Sequence, residues 1–279
     1  MKRLLLPKLF VTEWGCGESI EGMDRRVFVK AVAGAVGATA VRAQGLQKES
    51  RANGRIKAIA FDGFVIFDPR SLEKRVEEQL PGRGAELTNL WRTRQFEYCW
   101  LRTSGGQYAD FWKVTDDALR YTAKSLMISL TGAQHDALMD AYLNLTPWPD
   151  VHEGLAELKR QGIRLAFLSN LTAAMLDANL KAAGLREFFE PHLTTDRVQA
   201  YKPSPRAYQM GPDAFRLDKS EIAFAAFGGW DAAGAKWFGY PTVWVNRGGV
   251  PAEELGAHPD VMAKDLSGLT AFVEKAERM

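Results

Sequence analysis

The stretch "IKAIAFDGFVIFD", residues 56–68, ends an apolar run in a carboxylate, Asp62. A carboxylate there can attack an electrophilic carbon, move a proton, or cap the turn that follows. Attack on carbon gives an ester and requires no metal. The residue two positions on is Phe64, and the next acid is Asp68, six positions on. Polar residues follow other apolar runs as well: Ser169 and Asn170 follow "RLAFL", and Trp230 and Asp231 come just after "IAFAAF". Arg92, Arg94 and Arg102 are interleaved with aromatic residues in "ELTNLWRTRQFEYCWLR". Guanidinium groups are hard to bury in such a stretch unless one faces a ligand or an acid.

The elements that must position these groups follow from periodicity. Short apolar runs predict strands at 57–61, 164–168, 222–227 and 241–245. Helical patterns lie between them, in "VHEGLAELKRQG", "AAMLDANLKAAG" and "SPRAYQMGPDAFRL", with Gly162 and Gly184 where helix C-terminal glycines belong. Strand–helix alternation implies an α/β fold with a doubly wound parallel sheet, whose sites form beyond the carboxyl ends of the strands. Residues 69–149 break the alternation: they are helical and aromatic-rich, with no strand-like run. They predict a helical cap inserted after the first strand, closing at "LTPWPDV", where Pro147 and Pro149 stiffen the hinge. The core is then 44–68 and 150–279.

In that order, "AFDGFVIFD", "PGRG…LWRTRQFEYCWLR", "YADFW", "LAFLSN", "YKPSPRAY" and "GWDAAGAKWFGYPTVWVNR" resemble the haloacid dehalogenase superfamily, and within it the type II, (S)-2-haloacid dehalogenase branch. The resemblance runs from about Ile56 to the C-terminus and implies a Rossmann-like core with an inserted helical cap. It implies Asp62 as the nucleophile that displaces halide from a short 2-haloalkanoic acid through an ester. Arg92 would bind the substrate carboxylate or the departing halide. Ser169 and Asn170 would bond the substrate carboxylate or the nucleophile. Lys202 would keep Asp62 ionised, with Tyr208 and Asp231 holding Lys202 and helping to position water. Phe64, Phe96, Phe111 and Trp230 would form apolar walls. Neither a cofactor nor a metal is implied. A magnesium phosphatase of this superfamily usually carries a second aspartate where Phe64 stands, and several carboxylates where "FGGWD" offers only Asp231. Taken singly, Asp62 also reads as a carboxylate capping a loop or paired with Lys202, Ser169 and Asp231 as caps, and Tyr208 as a core residue.

The chain departs from the branch in two places. The first motif, usually Asp-x-Tyr-Gly-Thr-Leu-Phe-Asp, is one residue shorter here and lacks the threonine. The fourth, which typically carries Ser-Asn ahead of the Trp-Asp pair, reads Ala225-Ala226-Phe227-Gly228-Gly229. Three readings stay open: a hydrolase of 2-haloacids, an exported non-catalytic anion-binding protein of the same fold, and a hydrolase of another small carboxylate or phosphate ester.

The N-terminal segment carries Arg25-Arg26, a short apolar run from Ala31 to Ala40, and Val41-Arg42-Ala43. This order resembles a twin-arginine export signal over residues 1–43, with a periplasmic or secreted product and no stable membrane anchoring after cleavage. Residues 1–43 hold seven Lys/Arg and four Asp/Glu, which leaves 29 basic and 30 acidic residues in the rest. No basic tract suggests nucleic acid. Two cysteines, Cys16 and Cys99, and four isolated histidines form no disulfide framework or metal spacing. The expected partner is a small 2-haloacid, and a homodimer is left open.

Overall fold

The computed structural model describes residues 55–278; the export-signal reading of residues 1–43 lies outside them. In chain order come β1 (Ala58–Phe61), α1 (Gly63–Ile66), β2 (Phe67–Asp68), α2 (Arg70–Gln79), α3 (Gly84–Ser104), α4 (Phe111–Ser125), α5 (Gly132–Asp140), β3 (Thr146–Pro147), α6 (Val151–Arg160), β4 (Arg164–Ser169), α7 (Ala173–Ala183), β5 (Leu193–Thr194), α8 (Pro205–Phe215), β6 (Ile222–Ala226), α9 (Gly229–Phe238), β7 (Thr242–Val245), β8 (Val261–Ala263) and α10 (Leu266–Glu277). A six-stranded sheet has the order β5-β4-β1-β6-β7-β8, and every neighbouring pair is parallel. This is the α/β sheet that strand–helix alternation predicts.

β1 lies inside the sheet, with Ala58 opposite Arg164 of β4 and Ile222 of β6. All four of its residues are fully buried. A parallel strand covered on both faces loses the apolar–polar alternation, which is why "AIAF" is apolar throughout. Asp62 is the first residue beyond it, and its N–H donates to Ala225 O of β6 at 3.0 Å. Gly162 and Gly184, at φ 75° and 66°, end their helices in the left-handed conformation open to glycine.

Four strands escaped the sequence reading. β5 and β8 are only two and three residues long. β2 and β3 pair antiparallel, Phe67 with Pro147 and Asp68 with Thr146. The proline-rich closing segment is therefore partly a strand, and its partner is the strand just after α1. Helices α2 to α5 stand between these two strands. α3 and α4 pack through Trp91 Nε1, which donates to Thr115 O (2.9 Å), and Gln95 Nε2, which donates to Thr115 Oγ1 (2.6 Å).

Candidate active site

Asp62 follows β1 and caps α1: its Oδ1 accepts from Phe64 N at 2.9 Å. Its Oδ2 accepts from Lys202 Nζ at 2.7 Å. The same ammonium donates to Asp231 Oδ2 at 2.6 Å. Lys202 is 0% exposed, Asp231 1% and Asp62 8%. One cation thus joins two carboxylates out of water, and the 5.2 Å approach of Nζ to the Phe224 ring adds a cation–π contact. Burial works to lower the Lys202 pKa, but the charges of Asp231 and Asp62 and their hydrogen bonds raise it overall, so the ammonium stays protonated. Burial, reinforced by the charge of Asp62 and opposed by Lys202, pushes Asp231 up to about 6.

The backbone of Lys202 is fixed from two sides. Its N–H donates to Asn170 Oδ1 at 3.2 Å, and its carbonyl accepts from Trp100 Nε1 at 3.2 Å. Tyr208 donates its hydroxyl to Asp231 Oδ1 at 2.7 Å. Tyr208 therefore reaches Lys202 only through Asp231; it packs beneath, edge-on to Phe224, and accepts from Tyr240 OH at its own carbonyl. Ser169 Oγ accepts from Leu171 N at 3.1 Å, which turns the chain at the end of β4. Gly63 allows the Asp62 turn to lie against that end, because a Cβ there would stand 2.8 Å from Leu171 Cδ1 and 3.1 Å from Ser169 Oγ.

Beside Asp62 is a cavity of about 70 Å³ lined by Asp62, Phe64, Arg92, Phe96, Phe111, Ser169, Asn170, Leu171, Phe227, Gly228 and Trp230. It gathers most of the residues named from the sequence, drawn from α3, α4 and the carboxyl ends of β1, β4 and β6. Lys202, Asp231 and Tyr208 lie behind Asp62 instead of lining the cavity. Leu171 was not singled out from the sequence, and Phe227 and Gly228 were read there only as departures in the fourth motif, not as cavity lining. Their only signal is position, just past the carboxyl end of a strand.

The three arginines separate. Arg94 pairs with Glu97 at 2.7 Å and lies over Tyr121. Arg102 pairs with Asp117 at 2.9 Å. Arg92 faces the cavity, and no described carboxylate lies within ion-pair distance of it. A guanidinium opposite a carboxylate, across mostly aromatic walls, can hold a small anion with a carbon presented to Asp62. Among the described residues, no three His, Cys, Asp or Glu side chains converge as metal ligands. A larger, solvent-open groove, lined by Glu73, Glu77, Glu78 and Glu86 among others, shares no residue with this site.

A profile of the haloacid dehalogenase-like hydrolases matches residues 38–239. The chain belongs to that family. It is 44% identical to an (S)-2-haloacid dehalogenase of Pseudomonas sp. (strain YL) over 79% of its own length and 96% of the relative's. It is 39% identical to haloacetate dehalogenase H-2 of Moraxella sp. (strain B), over 78% and 98%. Among solved structures, the L-2-haloacid dehalogenase of Xanthobacter autotrophicus with chloropropionic acid covalently bound superposes with a TM-score of 0.73 at 33% identity, over 78% of this chain and 98% of that one. The family supplies the fold seen here, and the relatives named above are dehalogenases, hydrolases of carbon–halide bonds.

Proposed function

We propose that this chain is an (S)-2-haloacid dehalogenase acting on acids of two or three carbons. The observation that carries the reading is Asp62, held by Lys202 on one side and open to the Arg92 cavity on the other. Arg92 takes the substrate carboxylate, aided by Ser169 and Asn170. An Asp62 carboxylate oxygen attacks C2 from the face opposite the halogen; the C–O bond forms as the C–X bond breaks, and halide leaves as a stable anion needing no proton. The Lys202 ammonium, 2.7 Å from Asp62 Oδ2, holds the carboxylate in place for the attack. Water then adds to the Asp62 ester carbonyl, giving the 2-hydroxy acid and restoring the carboxylate. Asp231, held by Tyr208 and joined to Asp62 through Lys202, is the carboxylate we assign as base for that step. The covalent chloropropionic acid adduct of the Xanthobacter enzyme supports the ester.

The size limit follows from volume. A protein cavity of about 150 Å³ holds benzene. The 70 Å³ here is roughly half of that, enough for a carboxylate, one or two further carbons and a halogen. We read α2 to α5 as a cap that closes over this space. The order of Arg25-Arg26, apolar run and Ala43 supports export, which N-terminal mass analysis of protein from its own host tests.

The deciding experiment is halide release from L-2-chloropropionate and chloroacetate, with and without magnesium. Release independent of magnesium is expected. The apolar stretch Ala226-Phe227-Gly228, in the motif where the branch typically carries Ser-Asn, favours one competing reading, a binding protein that holds the acid at Arg92 without turnover. Saturable binding with no halide released would establish that reading and overturn the dehalogenase.

A further inference from the structure

The motifs "LTPWPDV" and "WVNR" have no part in the reaction as proposed, yet both converge on the Asp62 turn. α1 is a single turn, so its last carbonyls have no partner within the helix. Phe64 O accepts from Trp148 Nε1 at 3.0 Å. Val65 O accepts from Arg247 Nη2 at 3.0 Å. Ile66 O accepts from Trp148 N at 3.0 Å. Three successive carbonyls are thus held by two residues. Asp62 closes the other end of the same turn through its bond from Phe64 N.

These donors are themselves fixed. Arg247 makes a two-pronged pair with Asp150, at 2.7 and 3.0 Å, and its side chain is 5% exposed. Its guanidinium lies over the Trp148 ring at 4.6 Å, and that of Arg70 lies over the same ring at 4.5 Å. Asp150 Oδ2 also accepts from Leu266 N, at the start of α10. Trp148 directly follows β3, the strand by which the chain returns from α2–α5. The brace therefore ties the turn that carries Asp62 to the strand pair bounding the inserted helices.

We infer that Trp148 and Arg247 are positioning residues for the dehalogenation reaction, orienting the Asp62 carboxylate by holding the carbonyl side of the turn it caps. The inference rests on the dehalogenase reading. It has a specific reason in this chain: the motif is one residue short and has no threonine hydroxyl to bond Asp62. The hydrogen bonds that the Asp62 carboxylate accepts come from Lys202 and from Phe64 N, and Phe64 belongs to the braced turn.

The test uses Trp148→Phe, which keeps the ring and deletes one N–H, and Arg247→Lys, which keeps the charge facing Asp150 and loses the fork. Expected is a fall of ~10-fold in kcat for each, with KM within about twofold of the parent. Amide hydrogen exchange at Phe64 should be faster in both folded variants. Unchanged kcat in both overturns the inference, whether exchange quickens or only thermal stability drops, because the brace is then merely structural. A parent that releases no halide removes the dehalogenase reading and the inferred role with it; the exchange arm then still decides whether the brace orders the turn.

Discussion

At the scale of single residues, the site is one ammonium shared by two carboxylates. Asp62→Asn should abolish halide release, by ~10³-fold or more, because an amide oxygen is a poor nucleophile. The fold should survive, since asparagine caps a helix as well as aspartate does and Lys202 keeps Asp231. Halide assay beside circular dichroism checks both halves. Asp231 gives a second expectation. Its pKa of about 6 means that it takes up a proton as pH falls through that value. Lys202 then presses its whole charge on Asp62, and the base proposed for ester hydrolysis is neutralised, so kcat should fall below pH ~6. The sign for stability is opposite. A carboxyl whose folded pKa is raised binds its proton more tightly in the native state, so its contribution to stability is greatest at low pH and declines as pH rises through about 6. Acid loss of activity through this group is therefore not unfolding, and circular dichroism should stay native while kcat falls. The Asp231→Asn variant, slow at every pH, should lack that limb. A profile that keeps the limb in Asp231→Asn would assign it to another group.

At the scale of elements, close approach decides. Alanine usually favours a helix over glycine by ~1 kcal/mol. At Gly234 in α9 the sign should reverse, because a Cβ would stand 2.5 Å from the Tyr208 hydroxyl and 2.7 Å from Pro203 Cβ. Gly234→Ala should cost ~1–3 kcal/mol in urea unfolding and lower kcat by pushing Tyr208 off Asp231. A variant as stable and active as the parent would show that α8 and α9 yield easily. The longer elements were legible in the sequence because each carries a period: β1, β4, β6, β7 and the helices between them lie within a few residues of their predicted places. β5, β8 and the β2–β3 pair were not, since two or three residues hold no period and are strands only by virtue of their neighbours. The site was legible through joint motif order, which put Asp62, Arg92, Ser169 and Asn170 at one cavity. Phe227 was named in the altered fourth motif, but its place in the cavity wall was hidden because it reads as the last residue of an apolar strand, and the Trp148–Arg247 brace was hidden because it joins positions far apart in sequence.

At the scale of the whole molecule, the cavity is a seam between two sets of elements. Arg92, Phe96 and Phe111 come from the inserted helices, and Asp62, Phe227 and Trp230 from the ends of the sheet and the start of α9. Its size is therefore set jointly. Specificity measured as kcat/KM should fall steeply from 2-chloropropionate to 2-chlorohexanoate, by ~10-fold or more, since each methylene refused by a closed apolar space is worth ~1–3 kcal/mol. Phe227→Ala should recover part of the longer acid's rate; equal rates for both acids in the parent would show that the seam opens freely. The aromatic rings on this seam have an optical consequence. Trp230 lines the cavity, edge-on to Phe96 at 5.4 Å and to Trp100 at 5.5 Å, and Trp100 is 38% exposed. A heavy halide set free beside an indole quenches its emission, iodide more than bromide and bromide more than chloride. The ultraviolet fluorescence of the protein should dim as the carbon–halogen bond breaks and recover as the ion escapes, which would time the release of product without any added dye.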